Sequence, residues 1–212
     1  MNRDELLLDE PSGGPKASLI LGHGAGAAMD SPFMNFFAEN LCERGIRVIR
    51  FEFPYMRKRR LEGTKSPPNP AKLLIQSWHE VLALCERDVP WFIGGKSMGG
   101  RIASMIADEV RPSGLICLGY PFHPPGNPTK LRTGHLADLK TPCLIVQGER
   151  DPFGTLKEVS QYNLSEAISF VWLPGGDHSF KPRKASGHTL EDHLLEASQQ
   201  MAAFILKNIG AA

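Results

Sequence analysis

A short apolar run, Pro90-Trp91-Phe92-Ile93, breaks directly into Gly94-Gly95-Lys96-Ser97-Met98-Gly99-Gly100, and this junction constrains the fold more than any other segment of the chain. An apolar run bounded by glycine reads as a buried strand, and residues 98–110 behind it read as a helix. The serine therefore stands at the apex of a strand-turn-helix. Backbone strain and crowding from neighbouring elements require small residues on either side of such an apex. The pattern G-x-S-x-G is that of a serine presented as a nucleophile. The same letters contain Gly-Lys-Ser, the end of a phosphate-binding loop, but that loop needs a glycine where this chain has Pro90. Its remaining residues would be exposed amides cradling phosphate, whereas these are apolar and aromatic.

Short apolar or β-branched runs recur at 18–21, 47–53, 91–94, 114–118, 143–147 and 168–173, with longer helical patterns between most of them. This alternation is the signature of βαβ units, so the expected class is α/β with a mostly parallel sheet flanked by helices. Ser31-Pro32 provides a helix start, an N-cap followed by proline, and Gly45 a stop. Residues 70–87 carry Leu74, Trp78, Val81, Leu82 and Cys85 at helical spacing, and 187–207 closes the chain as a helix. At 212 residues and 42% hydrophobic, one core spanning 1–212 is expected, and a second domain is not.

A formal charge of +1 gives no general electrostatic basis for binding nucleic acid or membrane, so the expected partner is a small molecule. No run approaches the roughly 20 apolar residues of a membrane span. The start, Met1-Asn2-Arg3-Asp4-Glu5, lacks the pattern of a secretory leader, and a cytoplasmic location is expected. Composition leaves the oligomeric state open. Cys42, Cys85, Cys117 and Cys143 are widely spaced in apolar surroundings, which points to free buried thiols and no metal site. Arg57, Lys58, Arg59 and Arg60, with Pro67-Pro68-Asn69-Pro70 after them, read as a surface loop.

A serine hydroxyl needs a base, usually a histidine whose tautomer a carboxylate fixes. Asp151 follows the run 143–147 and His178 follows the run ending at Leu173, so each sits on a turn just beyond a strand. Glu149 is a reserve for Asp151; Asp177 is adjacent to His178 and poorly placed to reach the far ring nitrogen. His79 lies within a helix, His188 and His193 on the last helix, and His123 and His135 in a proline-rich crossing. Lys96 either pairs with a carboxylate such as Glu52 or favours anionic substrates.

With GHGAG, GGKSMGG, GERDPFG and GGDHSF in that order, the chain resembles a compact α/β-hydrolase family. That family comprises many uncharacterised bacterial proteins together with testis-expressed and chromatin-complex relatives in animals. The resemblance implies an α/β-hydrolase fold and a serine hydrolase with Ser97, Asp151 and His178 as its triad, and neither metal nor organic cofactor. The order Ser, Asp, His is the order of that fold. The Gly22-His23-Gly24-Ala25-Gly26 loop corresponds to the one that supplies an oxyanion donor, assigned to the Ala25 amide, and the second donor is the Met98 amide. The same loop also fits the dinucleotide fingerprint G-x-G-x-x-[GA], but the next helix start, Ser31-Pro32, comes too late for that geometry. Only about two dozen residues separate the runs ending at Leu118 and starting at Cys143, so the cap of larger esterases is expected to be minimal or absent. Phe33, Met34, Tyr120, Phe122 and Phe153 are the candidates to line an acyl pocket. Two readings follow: hydrolysis of a carboxylic ester or thioester through an acyl-enzyme on Ser97, or a silent binding module that recruits an acidic partner through the loop 57–60.

Overall fold

The structure, a computed structural model, describes residues 1–63 and 66–210. Thr64 and Lys65, inside the expected surface crossing, lie outside the described residues, as do Ala211 and Ala212 at the end of the expected domain. Seven strands form one sheet in the order β1-β3-β2-β4-β5-β6-β7. They are β1 Leu7–Asp9, β2 Ala17–Gly22, β3 Ile46–Phe51, β4 Trp91–Lys96, β5 Gly114–Leu118, β6 Cys143–Gly148 and β7 Ile168–Leu173. Every pairing is parallel except that of β1 with β3. The helices are α1 Pro32–Cys42, α2 Pro54–Glu62, α3 Ala71–Leu84, α4 Met98–Val110, α5 Leu156–Val159 and α6 Leu190–Lys207.

The central strands β2, β3, β5 and β6 are buried at every position, as a sheet covered on both faces requires. Alternating residues divide between two cores. Ile20, Phe51, Ile93 and Cys117 pack with Trp78 of α3 and Ile102 and Ile106 of α4 on one face. Leu19, Leu21, Phe92 and Val146 pack with Phe37 and Leu41 of α1 and Met201 and Ile205 of α6 on the other.

Three expectations need correction. The strand expected over 47–53 ends at Phe51, because Pro54 occupies the first position of α2 and Phe53 is its N-cap. The basic run is not a loop: Arg57, Lys58, Arg59 and Arg60 lie on α2, which Gly63 closes in the left-handed conformation. Its cations are committed within the chain. Arg57 pairs with Glu5, Lys58 with Glu62, and Arg60 with Asp30 and the buried Glu52, while Arg59 donates to the Ser66 carbonyl and lies over the Tyr55 ring. The last helix starts at Leu190, where Thr189 caps the Asp192 amide in a reciprocal capping box. All four cysteines are free; Cys117 and Cys143 are buried, and Cys42 and Cys85 only partly so. Among the described residues no helix is long and apolar enough to cross a membrane.

Candidate active site

β4 delivers Ser97 at the carboxyl edge of the sheet, and its backbone is strained there, with φ 50° and ψ −112°. The Ser97 amide donates to the Leu118 carbonyl at 2.9 Å, which locks the turn to the end of β5. A Cβ on Gly99 would overlap the Gly22 carbonyl oxygen, and one on Gly100 would come within 2.6 Å of the Gly95 carbonyl. Helix α4 can therefore begin immediately behind the serine only because these positions have no side chain.

Three expected residues meet at this edge. His178 Nε2 lies 2.9 Å from Ser97 Oγ, and His178 Nδ1 lies 2.7 Å from Asp151 Oδ2. Asp151 is fully buried, and the His178 side chain is 21% exposed. The carboxylate is well provided with donors: Oδ1 accepts from the Phe153 amide and Oδ2 from Gln147 Nε2, each at 2.9 Å. With both carboxylate oxygens so occupied, Asp151 Oδ2 faces His178 Nδ1, and the opposite ring nitrogen, Nε2, faces the serine hydroxyl. The Phe153 ring packs against the imidazole at 4.2 Å between centroids.

The loop carrying His178 is anchored from three sides through its own carbonyls. Lys96 donates from Nζ to the His178 carbonyl, His193 Nδ1 on α6 donates to the Phe180 carbonyl at 2.7 Å, and Arg150 Nε donates to the Gly175 carbonyl at 2.6 Å. Glu149, the reserve acid, accepts from the Gly175 amide and so supports this loop from outside the triad. Asp177 accepts from the Ser179 and Lys181 amides and closes the turn. The expected Lys96–Glu52 pair is not formed, because Arg60 occupies the Glu52 carboxylate. The Lys96 ammonium instead sits 5.4 Å from the Phe33 and Phe180 ring centres, and burial pulls its pKa down to about 8, against the opposing pull of Asp151 and Asp177.

The Ala25 amide lies in the loop after β2 and donates to nothing among the described residues. The Met98 amide belongs to the first turn of α4, where helix geometry supplies no acceptor. The Ala25 loop is fixed by groups that motif reading passed over. Tyr55 Oη lies within hydrogen-bond distance of the Gly24 and Ala25 carbonyls, at 3.2 and 3.1 Å. His23, buried and held neutral by that burial, donates from Nδ1 to Gly24 O and accepts the Phe53 amide at Nε2.

A cleft of about 700 Å³ opens beside Ser97 between the start of α1 and the start of α6. Phe33, Met34 and Phe153 line it as expected, joined by Phe36, Leu190 and Leu194, which the motifs did not mark. Tyr120 and Phe122 do not line it. Both are fully buried and pack on each other at 4.8 Å, because apolar bulk that follows β5 without a cap to cover it must turn into the core. Gln147 was also missed; its signal is a lone amide at the end of the apolar run Cys143-Leu144-Ile145-Val146, where it bonds Asp151 and the Tyr120 backbone. No group of three or more His, Cys, Asp or Glu side chains suited to a metal occurs among the described residues.

Comparison with solved structures gives the same architecture. An α/β serine hydrolase homologue from Coxiella burnetii is similar with a TM-score of 0.73 at 19% identity, over 96% of this chain and 93% of that one. A Xanthomonas campestris protein described as an α/β serine hydrolase without lid gives 0.69 at 19% identity, over 98% and 90%. A dienelactone hydrolase from Anabaena variabilis gives 0.71 at 19% identity, over 95% and 90%. The lidless form agrees with the 119–142 segment, which contains only the one-turn Gly134–Leu136 helix. The family model for an alpha/beta hydrolase domain matches residues 15–206, from the first parallel strand to the last helix. With the sheet order, the elbow and that match together, the chain belongs to the α/β-hydrolase domain family.

Proposed function

We propose that this protein is a serine hydrolase that cleaves a carboxylic ester or thioester through an acyl-enzyme on Ser97. The observation that carries the reading is the continuous hydrogen-bond chain Ser97 Oγ, His178, Asp151, at 2.9 and 2.7 Å, at the mouth of an apolar cleft. His178 Nε2 takes the Ser97 proton as Oγ attacks the acyl carbon, and the imidazolium that forms is stabilised by buried Asp151. The oxyanion is held by the Ala25 and Met98 amides, each such donor contributing on the order of 3 kcal/mol to the transition state. His178 then passes its proton to the departing alcohol or thiol, and a water activated by the same Nε2 releases the acid. His178 thus serves as general base and general acid in both halves of the cycle.

A fluorophosphonate probe is expected to label the wild-type protein and to leave Ser97→Ala unlabelled, with p-nitrophenyl acetate turnover lost in step. Wild-type protein that stays unlabelled beside a reactive control esterase would refute the nucleophile assignment. The alternative of a scaffold built on the basic run loses its support, since those side chains are paired inside the chain.

A further inference from the structure

A second cluster of polar residues lies away from the triad, on α4 and the segment that replaces a cap. Arg101 and Ser104 are three residues apart on α4 and so share a face; Arg132 and His135 have the same spacing on the facing segment. The two pairs are pinned together. Ser104 Oγ lies 2.8 Å from His135 Nε2 and donates to the Arg101 carbonyl at 2.7 Å. Tyr120 Oη donates to the Arg132 carbonyl at 2.9 Å, and the Arg132 amide donates to the Phe122 carbonyl at 2.8 Å, so the Arg132 backbone is fixed to the core.

The charge of this cluster is unbalanced. Six of the eleven other arginines, Arg3, Arg47, Arg50, Arg57, Arg60 and Arg150, each meet a carboxylate. Among the described residues Arg101 and Arg132 form no ion pair, and Arg101 Nε is buried without a hydrogen-bond partner. Burial and the Arg101 charge push the Arg132 guanidinium below its ordinary value, and the same two causes push His135 down. Asp108, the acid whose charge acts on His135, is already taken by the Lys140 amide and by the amide and hydroxyl of Thr141. From Gly119 to Gly134 the chain carries Lys130 and Arg132 and no acid at all. Two partly desolvated guanidiniums held within each other's field are unfavourable unless something anionic joins them, and guanidinium forks match the oxygens of a phosphate. Both side chains remain partly exposed, so a ligand can reach them.

We propose that Arg101 and Arg132, with His135 as the third wall, form a binding site for a phosphate group, separate from the Ser97 cleft. Arg101 and Arg132 each engage phosphate oxygens, and the pair matches the charge of a phosphate dianion. Free inorganic phosphate and the phosphoryl group of a small monoester share this chemistry.

The site is tested on the full chain, by calorimetric titration and thermal unfolding with inorganic phosphate and with glycerol phosphate, against sodium chloride at equal ionic strength. Wild-type protein is expected to bind phosphate saturably, with a rise in Tm that chloride does not reproduce. Arg101→Met and Arg132→Met are each expected to weaken binding at least tenfold, and Arg132→Lys, which keeps the charge and loses the fork, by less. Tighter binding of glycerol phosphate identifies a phosphorylated small molecule as the ligand, and tighter binding of inorganic phosphate identifies the free ion. A wild-type response no larger than that to chloride overturns the site, and this comparison decides the matter even if a variant fails to fold. So does an undiminished phosphate response in a folded Arg101→Met/Arg132→Met protein.

Discussion

Lys96 stands next to the nucleophile in sequence and behind the histidine in space, and its energetics and its geometry pull in opposite directions. Its ammonium is desolvated, so its pKa in the fold is about 8 against 10.5 as an ordinary lysine. Between those values the unfolded chain binds more protons than the folded one, so stability rises with pH through that window. Below pH 8 the desolvation penalty is fully present, and a difference of that size is worth about 2–4 kcal/mol. What the lysine supplies in return is a donor to the His178 carbonyl, which fixes the loop that aims the imidazole. Lys96→Met is therefore expected to be more stable than wild type at pH 7, by about 1–2 kcal/mol after loss of that hydrogen bond. It should also lose the rise in stability between pH 8 and 10.5, while kcat falls about tenfold because the base is held less firmly. Urea unfolding at pH 7, 9 and 10 together with esterase assays checks this; a variant that keeps the wild-type pH slope sinks the account.

At the scale of elements, α2 shows how a run of charges becomes internal structure. Glu52, only 4% exposed, sits between β3 and α2, and Arg60 reaches back across α2 to hold it while also holding Asp30. Breaking a buried pair from one side leaves an uncompensated charge, which costs more than the pair itself contributes. Arg60→Met should thus destabilise the fold by about 3 kcal/mol, and Glu52→Gln/Arg60→Met should recover most of the loss. Denaturant midpoints at an unchanged m value test this, and a double variant no better than the single one would refute it. The same element marks where sequence reading stopped. Its nine residues, Pro54–Glu62, have no apolar stripe, and the partners that make them a helix, Glu5, Asp30 and Glu52, are distant in sequence. β1 was invisible for a related reason: three residues on a sheet edge carry too little periodicity, and Leu8 faces solvent. The elbow and the turns after β6 and β7 were readable because each is a local chemical demand, a residue on a tight turn just beyond an apolar run. The supports of the turns after β6 and β7, Gln147, Lys96 and His193, act through contacts that no local pattern encodes.

For the whole molecule, the determining feature is what the 119–142 segment leaves uncovered. Tyr120 and Phe122 fold into the core, residues 124–132 run over the surface before Leu136 and Leu139 return to the core, and the Ser97 cleft stays open between α1 and α6. The sequence gap between β5 and β6 announced the missing cap, but it could not announce which side chains would form the walls, because Leu190 and Leu194 come from the far end of the chain. Those walls are apolar from Phe33 beside the ammonium of Lys96 out to Leu190, which is 41% exposed at the rim. An acyl chain lying along them gains up to about 0.8 kcal/mol per methylene removed from water, and less in a groove that is open on one side. Across p-nitrophenyl esters of increasing length, kcat/KM is therefore expected to rise about two- to fourfold per methylene and then level off once the chain passes the rim into solvent. Because binding of the remote chain is shared by ground and transition states, most of the gain should appear in KM. Leu194→Asp, which puts a charge in the groove without touching Ser97, His178 or Asp151, should flatten the series while leaving acetate hydrolysis within about twofold of wild type. A series that declines from acetate onward, with Ser97 still reactive to fluorophosphonate, would mean that the acyl chain lies elsewhere.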